Sequence, residues 1–137
     1  MEILKPEERI FCAIDTTNLD KALELALALK GAVGGFKLGK EFFTANGPEG
    51  VKKISEIGQR IFLDLKYHDI PNTVAGAIAA ASNLNSYMLT IHSSGGAAMV
   101  QAAAKAKDNN STPHIPVSYT HLRAHETRED LVCRLVG

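Results

Sequence analysis

The chain contains no tryptophan and only two cysteines among its 137 residues, and aromatics make up just 6%. Cys12 and Cys133 are too few and too far apart for a disulfide framework, so the sequence reads as one from a reducing, cytoplasmic compartment. Net charge is missing too: Lys+Arg and Asp+Glu both total 15. A balanced chain carries no electrostatic footprint for nucleic acid or for an anionic membrane surface. No apolar run approaches the ~20 residues that span a bilayer. The opening MEILKPEERIF places charges where a secretory signal needs an apolar centre. What is present is ordinary for a globular domain, with 45% hydrophobic and 22% charged residues. The length fits one domain.

Short apolar runs alternate with helical spacing. They predict strands over 9–15, 35–39, 61–65, 87–91 and 114–117. Thr17 with Asp20 has the spacing of an N-cap and its N3 partner, and Gly31 suits the end of the same helix. Gly47-Pro48 reads as the start of a second helix, and Asn72 or Thr73 as the cap of a third. An alanine-rich helix follows Gly95-Gly96 and runs to about Lys107. Polar residues stand near each strand's end: Asp15, Lys37, Asp64, Ser93 and Ser118, separated by 22, 27, 29 and 25 positions. That is a βα unit repeated about four and a half times, which implies parallel strands with helical crossovers. Doubly wound sheets and (β/α)₈ barrels both fit. The barrel is favoured because its sites are built at the C-terminal ends of successive strands, and its usual ~250 residues make this chain about half of one.

The densest polar cluster is Asp64-Leu65-Lys66-Tyr67-His68-Asp69. Strand side chains alternate, so Asp64 and Lys66 share one face and Leu65 takes the other. Solvation alone accounts for many charged strand ends. Here the charges sit directly behind an apolar run, and Pro71 stiffens the loop beyond them. Clustered like and unlike charges are the means by which sites move pKa values apart.

The segment FLDLKYHDIPNTV resembles the signature of the orotidine 5′-phosphate decarboxylases, with CAID, GFKLGKEFF and LTIHSSGG following the family's order. The resemblance runs from about residue 9 to 117. It implies the N-terminal half of a (β/α)₈ TIM barrel that converts orotidine monophosphate to UMP and CO₂ in pyrimidine synthesis. It further implies a homodimer that uses neither a metal nor an organic cofactor. On this likeness Lys66 matches the proton donor and Asp64 the acid beside the departing carboxylate. Lys37 and Asp69 complete an alternating Lys-Asp-Lys-Asp array. Asp69, Ile70 and Thr73 match residues that enter the neighbouring subunit's site. Asp15 and Lys37 match groups on the ribose hydroxyls, His92 matches a strand-end residue, and Ser118 a hydroxyl near the pyrimidine.

Beyond Val117 the likeness stops. Residues 118–137, SYTHLRAHETREDLVCRLVG, resemble a translated adapter or vector sequence joined to a gene fragment. The Gln and Arg loops with which the family grips the substrate phosphate have no counterpart, so this chain alone is expected to be poorly soluble or loosely packed and inactive. Other signals are weaker. Gly34-x-x-x-x-Gly39-Lys40 imitates a phosphate loop, but Glu41 stands where Ser or Thr must hold magnesium. His121 and His125 lack a third ligand at metal-binding spacing. A tight turn explains Gly95-Gly96 as well as an anion site does. Two alternatives stay open: a magnesium-dependent sugar-phosphate decarboxylase or aldolase of the same superfamily, and a non-catalytic chain whose charged strand ends are merely solvated.

Overall fold

In a computed structural model, which describes residues 4–107 and 113–119, a short 3₁₀ turn at Pro6–Arg9 leads into alternating strands and helices. These are β1 (Phe11–Ala13), α1 (Leu19–Ala28), β2 (Gly35–Gly39), α2 (Lys40–Ser55), β3 (Arg60–Tyr67), α3 (Pro71–Ala81), β4 (Met88–His92), α4 (Gly96–Ala106) and β5 (Val117–Ser118). All four strand pairs are parallel, and the sheet order is β1-β2-β3-β4-β5. A doubly wound sheet reverses its strand order at a switch point. Sequential order without reversal is the winding of a βα barrel, of which this chain builds about four and a half units.

Period-two alternation divides each strand between two faces. On β2 and β3, Phe36, Leu38, Ile61, Leu63 and Leu65 are buried beneath the helices. They meet Ala22 and Ala26 of α1, Val51 and Ile54 of α2, Val74 and Ile78 of α3, and Met99 and Ala103 of α4 in one apolar cluster. The opposite face carries Arg60, Phe62, Asp64 and Lys66, which are only half-buried. At the N-terminal end of this face Phe11 and Phe62 meet edge-to-face at 5.9 Å. The Arg60 guanidinium lies 5.7 Å from the Phe11 ring centre and 5.0 Å from that of Tyr87, and donates to the carbonyls of Gly34 and Glu8.

Helix boundaries depart from the expectations in physically simple ways. Asn18, not Thr17, caps α1: its Oδ1 accepts the Lys21 N–H at 2.9 Å. Gly31, just past that helix, takes the left-handed backbone that favours glycine (φ 81°). Helix α2 begins at Lys40, directly after β2, and Gly47-Pro48 marks a kink inside it instead of its start. Gly47 there has φ 59° and ψ −164°, a conformation open essentially to glycine alone. Helix α3 starts at Pro71, whose fixed φ suits the first helical position, so Asn72 and Thr73 lie inside it. Strand β1 is shorter than residues 9–15 because the preceding 3₁₀ turn occupies the chain up to Arg9. His121, His125, Glu126, Cys133 and nearly all of the 118–137 segment lie outside the described residues.

Candidate active site

Three adjacent strands bring their C-terminal ends together. In register, Gly39 of β2 lies beside Asp64 of β3, and β4 flanks β3 on the other side. The β3–β4 pairing is regular at Leu63↔Leu89 and resumes at Tyr67↔Ile91, so β3 carries two extra residues across that interval. Lys66 sits inside the irregularity with a left-handed backbone, φ 50°. A non-glycine residue in that region costs on the order of 1–3 kcal/mol and persists only where its surroundings hold it. Here the Lys66 N–H donates to Thr90 Oγ1 at 3.0 Å.

Asp64 is the centre of the cluster. Its Oδ2 accepts from Lys66 Nζ at 2.7 Å and lies 3.6 Å from Lys37 Nζ, while its Oδ1 accepts from Thr90 Oγ1 at 2.9 Å. The Asp64 side chain is 14% exposed; those of Lys37 and Lys66 are 31% and 28% exposed. Burial pushes the Asp64 carboxyl up, but hydrogen bonds from Lys66 and Thr90 and the charges of Lys66 and Lys37 outweigh it. The net effect holds the group below its usual range. Tyr67, on the helix-facing side of the strand, has its phenol pushed up by burial.

Asp15 joins Asp64 and Lys66 in lining a cleft of about 530 Å³, together with Gly39, Lys40 and Glu41. Asn46 of α2 donates to the carbonyl of Thr17 at 3.0 Å, which ties the loop following Asp15 to that helix. His92 and Ser118 are both buried and lie side by side in the β4–β5 register. His92 Nδ1 accepts from the Ser94 N–H at 3.1 Å, and the Ser94 hydroxyl lies 2.6 Å from the same nitrogen. The other three expected residues are elsewhere. Asp69, Ile70 and Thr73 are exposed on the loop and first turn after β3, with Asp69 Oδ1 accepting from the Ile70 N–H at 2.6 Å. Thr90 was not among the expected site residues. Its place on the strand face shared with His92 was the one signal available. Among the described residues, no group of three or more His, Cys, Asp or Glu side chains is placed to hold a metal ion.

A lysine pair around one carboxylate at the mouth of a half barrel is compatible with several chemistries, and comparison with known proteins narrows them. The family profile of the "Orotidine 5′-phosphate decarboxylase / HUMPS family" matches residues 8–132. The chain belongs to this family. It is 53% identical over 102 residues to the orotidine 5′-phosphate decarboxylase of Paramagnetospirillum magneticum, covering 74% of this chain and 43% of that one. With the enzyme of the same name from Sphingopyxis alaskensis the identity is 52% over 109 residues, covering 80% and 48%. The crystal structure of orotidine 5′-phosphate decarboxylase from Lactobacillus acidophilus superposes with a TM-score of 0.70 at 33% identity. That match covers 82% of this chain and 53% of that one. The chain thus spans about half the length of the relatives it matches. Each of these three relatives is named as the decarboxylase.

Proposed function

We propose that this chain supplies the lysine-bearing half of an active site that converts orotidine 5′-phosphate to UMP and CO₂. The observation that carries the reading is the Lys66 ammonium held 2.7 Å from Asp64 with the Lys37 ammonium on the same carboxylate oxygen. Loss of CO₂ leaves the bonding electron pair on C6 of the pyrimidine. An ammonium preorganised at that carbon stabilises the developing charge and then transfers one proton to it, which balances the reaction. Lys66 takes that role. Asp64 keeps Lys66 charged and aimed, and Lys37 offsets the carboxylate that would otherwise face the substrate's own.

The other assignments follow the same reading. Asp15 and Lys37 bind the ribose hydroxyls, and His92 orders the end of β4. Asp69, Ile70 and Thr73 reach the neighbouring site of a homodimer. The 67% exposure of Ile70 supports this, since a large apolar side chain on a loop tip gains by burial against a partner. The reaction requires no metal or organic cofactor, and the proposed compartment is the cytoplasm. Among the described residues no helix is long and apolar enough to cross a membrane.

The test compares this chain alone with the same chain joined to the C-terminal half of the Paramagnetospirillum relative, following UMP formation. The expected result is no turnover by the chain alone, turnover by the completed barrel, and its loss on Lys66→Ala. Turnover that survives Lys66→Ala overturns the assignment and favours a non-catalytic role for these charges. Placing the end of the family pattern at Val117 belongs to the same proposal, although the profile match continues to residue 132. The reading frame after codon 117 in the source genome decides it. Residues 118–137 missing from that frame mark them as foreign; their presence there refutes the boundary.

A further inference from the structure

We propose that Thr90 is a positioning residue of this site: its single hydroxyl fixes both the carboxylate of Asp64 and the backbone of Lys66, and its donated hydrogen bond favours Asp64 in the ionised form. The argument is proton bookkeeping. A threonine hydroxyl has one proton to give and two lone pairs to receive. The Lys66 N–H, 3.0 Å away, occupies a lone pair. The hydroxyl proton is then directed to Asp64 Oδ1 at 2.9 Å. On the other side Oδ2 takes the Lys66 ammonium at 2.7 Å. Both carboxylate oxygens therefore face donors, and a proton on either of the lone pairs so engaged would displace one of them.

The backbone half of the role is specific to this point of the sheet. Lys66 lies where β3 carries two extra residues against β4 and has φ 50°. Thr90 sits on β4 within that same interval and is 2% exposed, so its χ1 is held by packing as well as by its hydrogen bonds. It thereby links the unusual backbone of the proposed proton donor to the orientation of the acid beside it. The charged groups that bear on Asp64 are Lys66 from its own strand and Lys37 from β2, and Asp15, Lys40 and Glu41 line the same cleft. None of these reaches the Lys66 backbone in the way that Thr90 does.

The catalytic meaning of this linkage rests on the decarboxylase reading, so the test avoids turnover altogether. In the intact chain, the Asp64 carboxyl is titrated by carbon-detected NMR and the Lys66 amide is followed by hydrogen exchange. Thr90→Val keeps the branched shape and removes the hydroxyl. It is expected to raise the Asp64 midpoint and to speed Lys66 exchange about tenfold, as befits one lost hydrogen bond. Thr90→Ser is expected to restore both values. Should valine unfold the chain, Thr90→Ala is read in the same way. An unchanged Asp64 midpoint with unchanged Lys66 exchange, or a serine variant that behaves like valine, overturns the proposal. Both readouts report the Thr90 hydrogen bonds themselves and are expected whether or not the chain is a decarboxylase.

Discussion

Replacing Asp64 with asparagine tests whether the lysine–carboxylate cluster holds the fold as well as the chemistry. The shape and the Thr90 bond survive, because the amide oxygen accepts from the hydroxyl as Oδ1 does. The loss is confined to Oδ2, where a neutral NH₂ would confront the ammonium of Lys66, 2.7 Å from that atom in the native chain, and that of Lys37, 3.6 Å away. A unit charge pair at the latter distance is worth about 4–5 kcal/mol gross at an effective dielectric constant near 20. Desolvating a largely buried carboxylate takes back a good part of that. The lysines are also close to one-third exposed, so solvent screens their share further. A net destabilisation of about 1–3 kcal/mol remains, in line with a charge-assisted hydrogen bond. The pH dependence fixes the cause. Because the folded-state pKa of Asp64 lies below its unfolded value, its contribution is fully present above the unfolded value and is lost as pH falls through the folded one. Urea unfolding followed by circular dichroism should therefore show the full gap between native and Asp64→Asn chains near neutrality. The gap should begin to shrink below about pH 4, where the unfolded carboxyl takes up its proton, and close once the folded carboxyl is protonated as well. Equal stabilities near neutrality, or a gap that persists undiminished into acid, would refute the reasoning.

Three further outcomes are expected. In the completed barrel, Lys66→Ala should lower turnover by at least the roughly 10²–10⁴-fold typical of a lost general acid, measured as UMP release at saturating substrate. Gly47→Ala forces a Cβ into a backbone conformation reserved for glycine and should destabilise the chain by about 1–3 kcal/mol in urea unfolding. Leu63→Ala, in the fully buried layer beneath the helices, should cost about 2–5 kcal/mol in the same assay and leave the Asp64 titration in place.

The strands were legible because each is a short apolar run bounded by polar or turn residues, and the pairing of Asp64 with Lys66 followed from period-two alternation. The barrel winding was legible only as one of two choices, since spacing reports βα repetition while strand order is a tertiary fact. The first half of α2 escaped notice: Lys40–Asn46 follows β2 with no intervening loop, and its cap, Gly39, has no side chain to announce it. Gly47-Pro48 then imitates a helix start, because a proline is as acceptable after a kink as at a first turn. Thr17 and Asn18 are both good caps, and only the bond to Lys21 separates them. Thr90 was passed over for a different reason. A β-branched residue in a strand fits there whether or not its hydroxyl has work to do.

Two groups of cations on one sheet face show why the chemistry belongs at one end of it. Arg60, at the N-terminal end, spends its guanidinium on the carbonyls of Gly34 and Glu8 and on the faces of Phe11 and Tyr87. A planar donor fork so engaged is a fixture of the fold. Lys37 and Lys66, at the C-terminal end, converge on a single oxygen of Asp64, and Lys66 lines a cleft with Asp15. An ammonium has three donors, and Asp64 Oδ2 accepts just one of those on Lys66. Arg60 is thus committed to the fold, whereas the lysine end keeps polar capacity directed at a cleft. That difference follows from strand direction. All strands run parallel, so every strand's first residues gather at one rim and every strand's last residues at the other. Polar substitutions at the last residues reach the cleft without disturbing the apolar layer between sheet and helices, and the irregularity at Lys66 is tolerated there for the same reason.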